Sequence, residues 1–396
     1  MFSIFLIFGN SIPKYCSPSY TEAITQDKYE REYVTILFKH GIHSPIDKIP
    51  GHDATWECSA KQILYPGKDA FDEQSNNNIN VFRAVPISSQ SFLKGTCQAG
   101  SLLDSGIDQM VTLAKYIKRT YSSILPNKYN KRAFNFRSTY TDRTMNCLEV
   151  IMSHLYDELT PIELFVANEE LESLVPNPYL CPELVNALDI EKNESLEITK
   201  RIKEFNQKIE KLKNESKIVA APSWRRIGEM LSAHICNNAY LPTGFDEKLS
   251  NEATNLLVDY YKSVIDDKQK IKYSSGLLLS DIYFGMRDYL TGMKQSKFAL
   301  IAGHTLSIVS LELAFGLNTT FPAFGDFISI ELLRKDQDRI VNVVQNGVIK
   351  KTMKLQEFID FASEMRPKES ECKVQWPFVE KDKKDPGTEI LSKSFS

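Results

Sequence analysis

The stretch Tyr33-Val-Thr-Ile-Leu-Phe38, running directly into Lys39-His40-Gly41-Ile42-His43-Ser44-Pro45, decides how the rest of the chain is read. Its first six residues are β-branched, aromatic or aliphatic and carry no charge, which predicts a buried strand. The His, Gly and Pro cluster that follows ends the strand and reads as a loop with chemistry in it. Two more segments repeat the pattern. Residues 133–139 and 297–302 read as strands, and each is followed by helical spacing, over residues 141–156 and 306–315. Thr141 or Asp142 offers a cap for the first of these helices. Residues 102–121 place Leu103, Ile107, Met110, Val111, Ala114 and Ile117 on one helical face, and residues 275–290 also read as a helix. Residues 327–334 and 339–345 form an antiparallel pair about the polar turn Asp336-Gln-Asp338.

Between these halves the sequence changes character. Residues 160–272 are helical and highly charged, with Ile198, Ile202, Phe205, Ile209 and Leu212 at alternating steps of four and three. Two heptads are too few for a coiled coil, so a helix packed by one face is expected. The fold class is therefore α/β: a central mixed sheet flanked by helices, with a smaller inserted α-helical cap. Residues 30–159 and 273–366 make the α/β domain, 160–272 the cap, and 373–396 a polar tail.

Composition narrows the function. The chain has 396 residues, with 48 Lys+Arg against 51 Asp+Glu and a net charge of -3. That balance excludes a strongly basic nucleic-acid binder. No internal run reaches the roughly 20 apolar residues that span a bilayer. Residues 1–11, with apolar FSIFLIF before Gly9-Asn10-Ser11, read as a short secretory signal peptide; an N-terminal strand or anchor is the alternative. Seven cysteines without Cys-x-x-Cys spacing suggest disulfides in an exported chain, with one thiol left over. Asn193, Asn214 and Asn318 sit in Asn-x-Ser/Thr patterns of a glycoprotein.

Only six histidines are present, and three fall beside strand ends: His40, His43 and His304. Ligand sites in open α/β sheets form at the carboxyl ends of the strands. Arg137 lies near the end of the second strand. Lys39, His40, His43, Arg137 and His304 together make a cationic cluster suited to an anion.

These residues carry a resemblance. Phe38-Lys39-His40-Gly41-Ile42-His43-Ser44-Pro45 is similar to the Arg-His-Gly-x-Arg-x-Pro signature of the histidine acid phosphatases, a branch of the histidine phosphatase superfamily. Arg137-Ser138-Thr139-x-x-Asp142-Arg143-Thr144 resembles that family's second motif, and Gly100-Ser-Leu-Leu-Asp-Ser-Gly106 with Gln109 its glycine-flanked helix start. Ala302-Gly303-His304-Thr305 stands where the family has a His-Asp pair. The order holds over residues 32–365. Tyr179-Leu-Cys181-Pro182 and the region of Ile235-Cys236 look like the cap of animal acid phosphatases and of the 2-phosphoxylose phosphatase branch.

The resemblance implies phosphomonoester hydrolysis at acidic pH through a phosphohistidine on His40. Lys39, His43 and Arg137 hold the phosphoryl oxygens, with His304 beside them. Neither metal nor other cofactor is required, and the partner is a phosphorylated small molecule. A homodimer is compatible with the reading. Three positions depart from the family: Lys39 and His43 replace arginines, and Thr305 replaces the acid that protonates the leaving group. Weakened catalysis is one expectation; a pseudoenzyme that binds a phosphorylated ligand without turnover is the other. The resemblance also pairs Cys58 with Cys97 and Cys181 with Cys372, and leaves Cys147 with Cys236 as a guess. A secreted or endolysosomal location follows from the same reading.

Overall fold

The computed structural model describes residues 13–21, 29–49, 54–58, 93–156, 162–187, 197–216 and 222–374. The uncharged run of the first strand becomes β1 (Glu30–Lys39), at the centre of a seven-stranded sheet. The other strands are β2 (Phe134–Thr139), β3 (Phe165–Ala167), β4 (Phe298–Gly303), β5 (Phe327–Lys335), β6 (Asp338–Gln345) and β7 (Val348–Lys354), in the order β3-β2-β4-β1-β5-β6-β7. One half, β3 to β1, is parallel; the other is an antiparallel meander, so the sheet is mixed.

Alternation along β1 divides the core into two faces. Val34, Ile36 and Phe38 point to one side, where they meet helices α1 (Asp104–Thr120) and α2 (Asp142–Leu155). Tyr33 and Leu37 point to the other side, against α7 (Lys268–Leu290), α8 (Thr305–Ala314) and α9 (Leu355–Met365). Each fully buried side chain of this kind stabilises the fold by about 1.5–3 kcal/mol. The parallel strands end level with one another. Lys39 is in register with Gly303, and Ser138 with Ala302, so the segments that follow β1, β2 and β4 emerge at one edge.

Between β3 and α7 lie α3 (Glu183–Ala187), α4 (Glu197–Ser216), α5 (Trp224–Cys236) and α6 (Glu247–Val264). The heptad-like residues Ile198, Ile202, Phe205 and Ile209 are all buried, against Ile227, Leu231, Leu249 and Tyr260. The stretch 160–272 is not helical throughout, because β3 joins the main sheet within it. Three residues, two of them exposed, carry no readable pattern. Helix α7 also begins at Lys268, earlier than the spacing suggests.

Disulfides join Cys58 to Cys97, Cys181 to Cys372 and Cys16 to Cys236. The pairing of Cys147 with Cys236 is not formed. Cys147 is a free thiol buried on the core side of α2, and Cys236 is tied to the N-terminal segment instead. Three disulfides fit a secretory route. Among the described residues no helix is long and apolar enough to cross a membrane. The proposed signal segment, Asn193 and residues 375–396 of the tail lie outside the described residues.

Candidate active site

The loop after β1 is locked by backbone contact. A Cβ on Gly41 would stand 2.5 Å from the Gly106 carbonyl oxygen, and one on Gly106 2.2 Å from that of Ile42. Only two glycines let the loop and the start of α1 approach so closely. Gln109 continues the clamp: its Oε1 accepts from the Ile42 N–H at 2.8 Å, and its Nε2 donates to the Cys16 carbonyl at 2.5 Å. The Gly41 N–H points at Cys147 Sγ, 3.4 Å away. Burial pushes that thiol up to about 12, so it stays neutral.

His40 is thereby held with no exposed surface. Its Nδ1 lies 3.0 Å from the Gly41 carbonyl, which can only accept, so Nδ1 carries the proton. The lone pair then sits on Nε2, which is buried and has no hydrogen-bond partner. Burial, followed by the charges of His43, Arg143 and His304, drives the His40 pKa well below its ordinary value. At neutral pH the imidazole is therefore unprotonated. A neutral imidazole with a free Nε2 lone pair is the form that can act as a nucleophile.

The other residues gather round that nitrogen. The His43 ring is 4.8 Å from that of His40, and the His304 ring 5.3 Å. His304 Nε2 lies 2.8 Å from Thr139 Oγ1, and its Nδ1 3.5 Å from Arg143 Nη2. Because a guanidinium only donates, Nδ1 is the acceptor and Nε2–H faces the threonine. Burial, reinforced by Arg143, lowers the His304 pKa to about 3. Thr305, at the first turn of α8, has a buried hydroxyl oxygen with no partner. Lys39 is wholly buried; its Nζ donates to the Pro322 carbonyl at 3.0 Å and lies 4.3 Å from the ring centroids of both Phe321 and Phe324. Burial outweighs Glu229 and Asp326 and lowers its pKa to about 8.

Arg137 stands apart from this group. It lies two residues inside the end of β2, and its guanidinium donates to Glu172 at 2.7 Å and to the Ser138 carbonyl. The arginine that reaches the histidines is Arg143, on the first turn of α2, with its Nε buried and unpartnered. Motif spacing alone does not separate the two, but a helix start beyond a parallel strand's carboxyl end is the placement that faces such a site. Glu312, later on α8 than Thr305, bonds outside this group. It accepts from Gln345 Nε2 at 2.5 Å, and burial raises it to about 8.

Glu229 of α5 is the member that sequence reasoning missed. Its Oε1 is 3.3 Å from His43 Nε2 and 3.8 Å from His40 Nε2. Nothing local marks it, since it lies 186 residues from His43. Burial raises its pKa, but the hydrogen bond and charge of His43, with Lys39 and His40, outweigh this and hold it well below the usual carboxylate range. His40, His43 and Glu229 offer donor atoms within 4.8 Å of one another, a set that could hold a metal ion. Two further cations, Lys39 and Arg143, stand beside them and shift the balance of the pocket toward an anion.

The profile of the histidine phosphatase superfamily (branch 2) matches residues 30–346. Counting factor 60 of Dictyostelium discoideum is 22% identical over 357 residues, covering 85% of this chain and 86% of that protein. Rat prostatic acid phosphatase is 22% identical over 334 residues, covering 79% and 78%. Among solved structures, the phytase of Citrobacter braakii superposes with a TM-score of 0.56 at 14% identity, over 85% of this chain and 98% of that one. That likeness shares the fold, an α/β sheet flanked by helices. With its profile match running from β1 to the end of β6, the chain belongs to the histidine phosphatase superfamily, branch 2.

Proposed function

We propose that the protein hydrolyses phosphomonoesters, by way of a phosphohistidine on His40. Kinship with acid phosphatases supports the reaction class. The observation that carries the reading is the lone pair of His40 Nε2, buried, unpartnered and kept unprotonated by its surroundings. Unsatisfied buried polar atoms are rare in proteins, yet Arg143 Nε and Thr305 Oγ1 share this state. A phosphoryl group would give His40 Nε2 the partner it lacks, with the Arg143 guanidinium reaching the same histidine cluster through His304. His40 Nε2 attacks phosphorus, while Arg143 and Lys39 hold the charge on the phosphoryl oxygens. Water then hydrolyses the phosphohistidine. Ile46 and Asp47 of the loop after β1, with Arg226 and Met230 of α5, line a cavity of about 420 Å³, and the alcohol portion of a substrate would lie there.

The second reading, a binding protein without turnover, is favoured by one residue. Thr305 stands where the family's acid does, and a threonine hydroxyl has no proton to give at ordinary pH. Losing acid assistance typically costs about 10²–10⁴ in rate. The test is incubation with a reactive aryl phosphate at pH 5, wild type beside His40→Ala. Acid-labile, base-stable phosphate on the wild type alone, together with turnover, supports the enzyme. Tight phosphate binding without turnover supports the binding protein.

The disulfides and the acid phosphatase kinship also support a secreted or endolysosomal location. Asn214 and Asn318 are exposed, as glycan acceptors must be.

A further inference from the structure

The hydrogen bonds of His43 locate a proton. Its Nδ1 lies 2.6 Å from the Ser44 carbonyl, so Nδ1 carries a hydrogen. Its Nε2 lies 3.3 Å from Glu229 Oε1. A ring nitrogen and a carboxylate oxygen can bond only if one proton lies between them, on either His43 or Glu229. The carboxylate oxygen of that pair, Glu229 Oε1, is 3.8 Å from His40 Nε2.

Geometry also says where the proton goes. In-line attack by His40 Nε2 places the leaving oxygen on the far side of phosphorus. The carboxylate of Glu229, at 3.8 Å, occupies the space a phosphoryl group needs. An arriving substrate must therefore displace it outward. Outward is open: the Glu229 side chain is 29% exposed, whereas those of His40 and His43 are 1% exposed. Arg226 and Met230 of the same helix line a cavity between α5 and the loop after β1. The displaced carboxyl then faces the leaving oxygen, not the nucleophile. We propose that Glu229 takes the proton from its pair with His43 and delivers it to the leaving group, as the catalytic acid that Thr305 cannot be. The assignment rests on the phosphatase reading and deepens it.

The step balances. The N–P bond to His40 forms as the ester P–O bond breaks, and the leaving oxygen takes the proton from the Glu229 carboxyl. In the second half, the Glu229 carboxylate accepts a proton from the attacking water, the N–P bond breaks, and phosphate leaves with the His43–Glu229 proton restored. The groups whose charges act on Glu229 come from three elements and the loop after β1: Lys39 at the end of β1, His40 and His43 in the loop, Arg143 on α2, and His304 before α8. All are neutral or cationic. A bound phosphoryl anion adds to burial in opposing ionisation of Glu229, and it arrives when the proton is needed.

The experiment compares an alkyl phosphate with dinitrophenyl phosphate in wild type, Glu229→Gln, and Glu229→Gln with Thr305→Asp. A poor leaving group needs the proton, and a good one does not. Glu229→Gln should lower kcat for the alkyl ester by about 10²–10⁴ and for the dinitrophenyl ester by less than about tenfold. Thr305→Asp in the same chain should restore much of the alkyl activity, a rescue that a merely structural role of Glu229 does not allow. Equal losses on both esters, or none, overturn the assignment and leave the phosphatase reading standing. Absence of wild-type turnover on the dinitrophenyl ester overturns both.

Discussion

The two ends of β1 are both charged and buried, and they do opposite things. At its start, Arg31 Nε donates to Glu331 Oε2 at 2.9 Å, while Tyr121 and Ser329 donate to Glu331 Oε1 at 2.8 and 3.0 Å. Glu32 nearby accepts from Arg339 and meets Arg334 at 3.1 Å. At the other end, His40 Nε2, Arg143 Nε and Thr305 Oγ1 have no partner at all. Burial and polarity are common to both clusters. Satisfaction separates them: the first is complete without a ligand, and the second is not. The first cluster is therefore expected to govern stability and, on the proposed function, the second to govern chemistry.

Exchanging the losses between the two ends is the strongest way to break this contrast. His40→Ala should cut turnover by on the order of 10³-fold or more, as loss of a nucleophile does, with little change in melting temperature. Glu331→Ala should do the reverse. It strands the Arg31 charge beside Tyr121, and removing one partner of a buried pair costs about 3–5 kcal/mol. Denaturant unfolding measures that cost. The kcat/KM of the remaining folded protein should stay within a few-fold of wild type. If Glu331→Ala lowered kcat/KM as much as stability, the two ends would be coupled and the contrast would fail.

Arg137 and Arg143 sharpen the same contrast at closer range, six residues apart. Arg143→Ala removes a charged donor with an unpartnered Nε, and phosphate affinity should fall about 10- to 100-fold, since charged hydrogen bonds contribute roughly 1.5–3 kcal/mol. Arg137→Ala leaves Glu172, whose side chain is 6% exposed, without its ion-pair partner. Stability should fall by about 1–3 kcal/mol while phosphate affinity holds. Calorimetric titration of both variants distinguishes the two arginines.

This pair also marks where the sequence stopped being readable. The strands beside the histidines are legible because β1 and β4 hold apolar runs and β2 alternates buried Phe134 and Phe136 with polar residues, and their level ends bring Lys39, His40, His43 and His304 to one edge. Strand position fixes the Arg137 Cα, while the direction of its guanidinium depends on Glu172, 35 residues away. Glu229 was invisible for a related reason. Its role exists only through contact between α5 and the loop after β1, and no local periodicity records such a contact. Helix α9 is local by contrast: its buried Leu355, Phe358, Ile359 and Ala362 follow ordinary helical spacing.

The smallest expected effect lies within the reactive end itself. Lys39 holds the place of a family arginine, but its pKa is lowered to about 8, by burial first. A bound anion favours the charged ammonium, so the bound-state pKa must lie above the free one. Affinity is then full below about pH 8, declines as pH rises from there through the bound-state pKa, and levels off above it. If the anion raises the pKa by about half a unit to one unit, the total decline is roughly three- to tenfold. Sulfate is the suitable probe, because it remains a dianion across the range and adds no titration of its own. Lys39→Arg, permanently charged, should bind sulfate with no decline between pH 7 and 10. Parallel curves for wild type and Lys39→Arg would mean that the ammonium, held by Pro322 and the two phenylalanine rings, belongs to the satisfied kind of cluster after all.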